Sequence, residues 1–387
     1  MRTSTITRLL LALPLLAGCA SLLPAQSAAQ SAAQSAAQSA AQSAAQSVAQ
    51  SVAQSVAPQA VSAQSAPAAA PAGATAAPRL EAAQWCEIAK VIDADTIHVT
   101  RDGKLVKLRL LCVDTEERFH PGQKPIPGKP ETVFGEECAL WAEQYFAALG
   151  KDGAKPRIGL HFPGGKEEID IYGRTLCHVI LPDGSDYNLK LVREGKSPYF
   201  NKYGNSRSAH EAFLAAQAAA RADKVGIWDP KTNQPKDPAA PSVKRDYGAL
   251  LPWWNARALA IRNFEARMAE GVTRLADAAN ADALEALRKE DPEKPVQVFG
   301  EIDKRFDESN GDHTLLMRTS DKQRALRVVI QKALRSPQLD ARLDALEKDG
   351  EQNFFYVSGR LSLGERGLQI VISSADRIQI AEPAPAR

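Results

Sequence analysis

Four short stretches of the chain hold side chains that could do chemistry together. They are "VIDADTI" at 91–97, "RLLCVDTEE" at 109–117, "DIYGR" at 170–174, and the segment 199–203 with its two tyrosines. They supply the carboxylates Asp95, Asp114, Glu116 and Glu117, the guanidinium groups Arg109 and Arg174, and the phenols Tyr172, Tyr199 and Tyr203. Two or three hard oxygens suit Ca²⁺ or Mg²⁺ rather than zinc. An arginine beside such an ion suits phosphate, because its fork binds two phosphate oxygens at once. A further carboxylate can orient or deprotonate a water. A metal, arginines and a base together suit phosphodiester hydrolysis. The cations stabilise charge on the pentavalent phosphorus, and the carboxylate readies the nucleophile. No single member carries this reading. Asp-x-Asp is common in turns, and an Arg–Asp pair across a hairpin is usually a surface ion pair.

For these groups to meet, strands must bring them to one end of a sheet. Residues 87–100 alternate loosely and are rich in Ile and Val, which reads as a strand. Asp102-Gly103 marks a hairpin turn, and 105–113 returns as a second strand. A loop rich in Pro and Gly covers 118–130. A helix follows over 135–149, with Trp141 and Tyr145 on one face. Two more strands are read at 157–162 and 174–181. A second helix starts at Ser208, where Ser208 and Glu211 are spaced as a capping box, and runs to 222. "GIW" at 226–228 closes the segment. Strands first, with helices inserted and a helix to close, is the order of a small Greek-key barrel of the oligonucleotide-binding (OB) kind. With Asp102-Gly103 as the turn, Arg109 lies opposite Thr96, beside Asp95. The same count sets Asp114 against Val91, too far along. Asp95 and Asp114 therefore meet only if the sheet coils strongly or the chain bends back after Val113.

In order and spacing, "VIDADTI", "LRLLCVDTEE", "DIYGR" and the closing "GIW" resemble the staphylococcal (thermonuclease) nuclease family over residues 85–229. The resemblance implies an OB-fold, Ca²⁺-dependent phosphodiesterase acting on single- or double-stranded DNA or RNA. It implies that Asp95 and Asp114 hold Ca²⁺ through their carboxylates, and Thr115 through its carbonyl. Glu117 would be the general base, and Arg109 and Arg174 would grip the phosphate. Tyr172 falls in the family's phosphate-binding motif. Tyr199 and Tyr203 lie where the family places aromatic contacts to the nucleotide. Two residues depart from the pattern: Ala94 stands where the family usually has glycine, and Glu116 where it usually has proline. Glu116 adds charge beside the base and releases a conformational lock, so it reads as a spectator or a modifier of Glu117. The alternative is a catalytically weak or inactive module of the same fold that binds nucleic acid or a protein. The presence of both arginines, both aspartates and the glutamate favours the enzyme.

The rest of the 387 residues place this unit in a larger chain. Residues 1–19 read as a lipoprotein signal peptide, because an apolar run ends in Leu-Ala-Gly-Cys, which resembles the bacterial lipobox with Cys19 as the lipidated residue. Membrane attachment through Cys19 is expected, at the outer membrane of a bacterial envelope, facing the periplasm or the exterior. Residues 20–78, built on Gln, Ser, Ala and Pro, read as a disordered tether. About 60 such residues reach roughly 40–45 Å as flexible coil. Export leaves Cys86, Cys112, Cys138 and Cys177 open to pairing or to simple burial. The net charge is +2 with a pI near 8.2, and 79–230 holds 21 Lys+Arg against 22 Asp+Glu. That balance excludes binding by bulk charge and leaves a few phosphate contacts. The expected fold is α+β, mainly β with helices. It comprises an OB-fold five-stranded barrel nuclease domain at 79–230 and a linker and helical segment at 231–295. A second OB-like barrel, with strand order three, helix, two, spans 296–381, and a tail spans 382–387. A protein partner is assigned to the last barrel, and a monomer is expected.

Overall fold

The computed structural model describes residues 78–381, apart from 120–121, 123–125, 127, 151–152, 236–241, 320 and 349. Cys19, its signal peptide, the tether through residue 77 and the tail from 382 lie outside the described residues. Among the described residues no helix is long and apolar enough to cross a membrane.

The first sheet begins with β1 (Gln84–Asp93), β2 (Thr96–Arg101) and β3 (Lys104–Leu110). The stretch 87–100 is thus two strands, broken at Ala94-Asp95, so Asp95 sits in a tight turn. Asp102 and Gly103 both take positive φ, +50° and +73°, as a two-residue hairpin loop requires. The register places Thr96 opposite Arg109. Helix α1 (Val133–Ala148) starts at Thr132, whose hydroxyl accepts from the Gly135 N–H. Trp141 and Tyr145 stack 5.2 Å apart on its inner face. Then come β4 (Arg157–His161), β5 (Glu168–Ile169) and β6 (Thr175–Ile180). The order β3-β2-β1-β4-β6, with β6 pairing in parallel on β3, closes a five-stranded barrel. Ile97, Val99, Leu108, Leu110, Ile158, Leu160 and Val179 fill it.

Helices α2 (Tyr187–Arg193) and α3 (His210–Ala222) pack against that core. The capping box read at Ser208 does not form. Ser206 Oγ accepts from the Ala209 N–H at 3.0 Å, and the Ser208 hydroxyl lies 3.2 Å from His161 Nε2. The "GIW" segment crosses the chain at Gly195. The Ile227 N–H donates to the Gly195 carbonyl at 2.8 Å. A Cβ on Gly226 would stand 2.0 Å from that oxygen, so only glycine lets the backbones meet.

Beyond residue 230, the linker and helical segment read at 231–295 resolves into α4 (Tyr247–Ala269) and α5 (Ala281–Glu290), with β7 (Leu275–Asp277) between them. Trp254 and Phe264 are buried, Met268 is exposed, and Leu275 lies in β7. The last unit has β8 (Val296–Gly300), β9 (Ile302–Asp307), β10 (His313–Met317), β11 (Arg327–Ile330), α6 (Pro337–Glu347), β12 (Phe355–Gly359), β13 (Leu361–Gly364), β14 (Gly367–Ile372) and β15 (Ile378–Ile380). Its order β13-β14-β11-β10-β9, with β14 parallel to β11 and β12 against β8, is again OB-like. Ser336 and Pro337 start α6 as cap and first residue.

One buried carboxylate ties the barrel to what surrounds it. Glu116 Oε2 accepts from the Thr132 hydroxyl at 2.5 Å and from Asn233 Nδ2 at 2.6 Å, and Oε1 accepts from the Tyr247 hydroxyl at 3.0 Å. Asn233 Oδ1 in turn accepts from the Phe134 N–H at the start of α1. Glu116 is therefore no spectator, and it releases no lock. Where the family usually has a proline ring, three hydrogen bonds fix the loop to α1, to the segment after the barrel and to α4. Glu116→Ala leaves those buried donors without their acceptor, so the midpoint of urea unfolding is expected to fall by the equivalent of about 2–4 kcal/mol.

Candidate active site

The turn between β1 and β2 presents Asp95, and the end of β3 presents Arg109. Directly after β3 the chain bends, at Leu111-Cys112 rather than after Val113. The Leu111 N–H donates to the Cys177 carbonyl, and Cys112 takes φ +65°. Val113 then bridges to Tyr199, and Asp114 comes back beside Asp95. Arg109 joins the two aspartates: Nη1 pairs with Asp95 Oδ1, and Nη2 with Asp114 Oδ1 at 2.6 Å. Asp95 Oδ1 also accepts from the Thr96 hydroxyl, and Oδ2 from the Thr115 N–H at 2.8 Å. The Asp114 N–H donates to Ser197 Oγ at 2.8 Å.

Two cations outside the expected set complete the cluster. Lys129 Nζ lies 2.7 Å from Asp114 Oδ1 and 3.5 Å from Glu117 Oε1. Arg245, from the segment after the barrel, places Nη2 2.6 Å from Asp114 Oδ2, and its Nη1 donates to the Asp114 and Thr115 carbonyls at 3.1 and 3.4 Å. Burial opposes ionisation of Asp114, but Lys129, Arg245 and Arg109 overcome it and hold the carboxyl well below the usual range. Glu117 moves the other way. Burial pushes its carboxyl up, Lys129 pulls it down, and Asp95 and Asp114 push it up further. Its backbone is clamped by α1. The Thr132 N–H donates to the Glu117 carbonyl at 3.0 Å, and a Cβ on Gly135 would stand 2.1 Å from that oxygen.

The Asp95 and Asp114 carboxylates and the Thr115 carbonyl are hard oxygens, the donor type that Ca²⁺ takes. Each is in use as the chain is folded: Asp114 by Arg109, Lys129 and Arg245, Thr115 by Arg245, and Asp95 by Arg109, Thr96 and the Thr115 N–H. No group of three His, Cys, Asp or Glu side chains forms a metal centre among the described residues. A dication therefore fits by chemistry, and only by displacing a protein cation.

Arg174 sits one residue before β6 and pairs with Asp170, Nε to Oδ2 at 2.8 Å, rather than with the cluster. Tyr172 projects from the same turn, 74% exposed, with the Arg174 guanidinium 5.3 Å from its ring centroid. Tyr203 is 63% exposed. Tyr199 is not on the surface: it is 2% exposed, stacks on Phe213, and its hydroxyl is engaged by His210 Nδ1 and the Ser206 N–H. Its place is in the core rather than at a nucleotide. Cys86, Cys112, Cys138 and Cys177 are free thiols. Lys129 was hidden in a Pro- and Gly-rich loop, and Arg245 in a linker. Neither belongs to a motif, and no local signal marks them.

The family described as "Staphylococcal nuclease homologue" matches residues 107–230. The chain is 33% identical over 156 residues to Endonuclease YhcR of Bacillus subtilis, a match that covers 40% of this chain and 12% of that protein. It is 30% identical to Endonuclease YncB of the same organism, over 36% of this chain and 59% of that one. It is 32% identical to the Thermonuclease of Staphylococcus hyicus, over 38% of this chain and 76% of the relative. The chain thus spans about an eighth of one of these relatives and three quarters of another. With a closed OB barrel carrying the four motifs in order, the chain belongs to the staphylococcal nuclease family and contains that family's nuclease-type hydrolase domain.

Proposed function

We propose that the first barrel hydrolyses phosphodiester bonds of DNA or RNA with Ca²⁺, on a chain tethered to the bacterial envelope through lipidated Cys19. The observation that carries the reading is the convergence of Asp95, Arg109, Asp114 and Glu117 at one end of the barrel, although they lie in different turns and strands. Ca²⁺ held by Asp95, Asp114 and the Thr115 carbonyl supplies a Lewis acid at a phosphate oxygen. Glu117, ionised, takes a proton from the attacking water. Arg109 and the surface Arg174 offset charge on the phosphoryl oxygens. Tyr172, beside Arg174, lies along the path of the nucleic acid strand.

A second reading has its own support. The three cations on Asp114 favour a barrel that binds nucleic acid or protein and cleaves weakly. In that case cleavage of single-stranded DNA, duplex DNA and RNA is equal with Ca²⁺ and with chelator. The enzymatic reading expects Ca²⁺-dependent cleavage that chelator stops.

Glu117→Gln is expected to lower kcat about 10²–10⁴-fold in that assay. Burial and the neighbouring carboxylates raise the Glu117 carboxyl in the metal-free site, so with chelator present it should titrate above the ordinary glutamate value of 4.5, as a carboxyl-carbon NMR titration would show. Lys129→Ala removes the cation that lowers it and should move that metal-free titration to higher pH. Gly135→Ala forces the Glu117 carbonyl aside. A lower kcat with an unchanged circular dichroism spectrum is the expected outcome, and an unchanged kcat would mean that the clamp does not position the base. For the anchor, Cys19→Ser should move the chain from the membrane fraction to the soluble fraction of cells.

A further inference from the structure

We infer that Arg245 sets the affinity of this site for a divalent cation, because its guanidinium stands where the cation would bind. The inference rests on the proposed metal role of Asp95, Asp114 and Thr115. Two of those three donors are held by Arg245: the Asp114 carboxylate at 2.6 Å and the Thr115 carbonyl at 3.4 Å, with the Asp114 carbonyl at 3.1 Å between them. A cation bound by these oxygens competes with the guanidinium for their lone pairs and is repelled by its charge.

Arg245 is not a further phosphate grip. Its side chain is 1% exposed, so no substrate phosphate reaches it. The rings of Tyr247 and Trp254 flank it, with centroids 5.6 and 5.8 Å from its guanidinium carbon. It also follows the segment 85–229 over which the four motifs run, and reaches the site from the stretch of chain that leads into α4.

Charge balance gives the competition its weight. Arg109, Lys129 and Arg245 face Asp95, Asp114 and Glu117, three cations against three carboxylates. Glu116, buried beside them, is a fourth carboxylate, and a dication added to this set still leaves an excess of positive charge in a buried place, which is costly. Lys129, a third exposed on a flexible stem, can swing into solvent. Arg245, buried between Tyr247 and Trp254, has no such route, and its release requires the segment that carries it to open. Cation binding and release of that segment are thus linked, and by reciprocity whatever loosens the segment strengthens cation binding.

The test is Ca²⁺ titration calorimetry on the full chain. Arg245→Ala should bind Ca²⁺ at least tenfold more tightly than the native chain, and adding Asp114→Asn should remove the gain. Arg245→Gln, which keeps much of the shape, carries the same expectation if the alanine variant does not fold. The native chain gives a readout free of substitution: Ca²⁺ should speed hydrogen exchange at amides of 242–250. Equal or weaker binding by both Arg245 variants, or unchanged exchange in the native chain at saturating Ca²⁺, overturns the inference. Should Asp114→Asn abolish Ca²⁺ binding while the Arg245 variants bind like the native chain, the metal reading stands and the role of Arg245 falls. Should Asp114→Asn change nothing in any background, the metal reading falls and takes this inference with it.

Discussion

A carboxylate that is 1% exposed cannot remain ionised without partners, and Asp114 is such a group. Removing a charge from water costs several kcal/mol even after relaxation, and only close, well-placed cations offset it. The three that do so come from different parts of the chain: Arg109 at the end of β3, Lys129 in the loop before α1, and Arg245 beyond the barrel. Much of the local architecture follows from that requirement. The hairpin register sets Arg109 beside Asp95, the bend at Cys112 brings Asp114 back to meet it, and the segment after the barrel must fold over this end to deliver Arg245. Asp114 is thus a structural keystone as well as a candidate ligand, and the two roles draw on the same oxygens.

The parts of this arrangement that were legible in the sequence are those set by local rules. Asp102-Gly103 declares its turn, and counting from it pairs Thr96 with Arg109. Ser336-Pro337 declares the start of α6. The OB-like order of strands and helices was legible as well, and in the first barrel the parallel pairing of β6 on β3 closes it. The bend was not legible, because it is made by a cysteine at positive φ, a conformation that cysteine does not advertise. Nor was the split of 87–100: Asp93-Ala94-Asp95 is turn-prone, but the Ile- and Val-rich runs on both sides of it read as one continuous strand. Tyr199 was misplaced for a related reason. A tyrosine near a motif looks the same whether its ring stacks on a base or on Phe213, and only burial separates the two. Glu116 was hardest of all, since its three partners lie 16, 117 and 131 residues away.

Glu116 and Arg245 show why the site and the extension cannot be treated apart. The two groups use neighbouring residues of one loop and reach the same short piece of chain, Arg245 to Tyr247, from opposite directions. Tyr247 donates to Glu116 and lies over Arg245, so each contact holds the other in place. Glu117, between Glu116 and the clamp at Gly135, inherits its position from both.

The physical unit is therefore larger than the stretch that the family match defines. An apolar cluster of Leu251, Trp253 and Trp254 packs against Phe200 and Trp228 of the barrel. One turn further along α4, Arg257 is fully buried. It donates to the Lys202 carbonyl of the first barrel at 3.0 Å, and pairs with Glu301 at 3.1 Å and with Asn353 of the second. Ending the chain at residue 230 would expose Trp228, remove Asn233 and Tyr247 from Glu116, and leave Asp114 without one of its cations. Asn233, Arg245 and α4 meet these needs, so the chemistry of the nuclease end and the seating of the second barrel depend on one stretch of chain, 233–257.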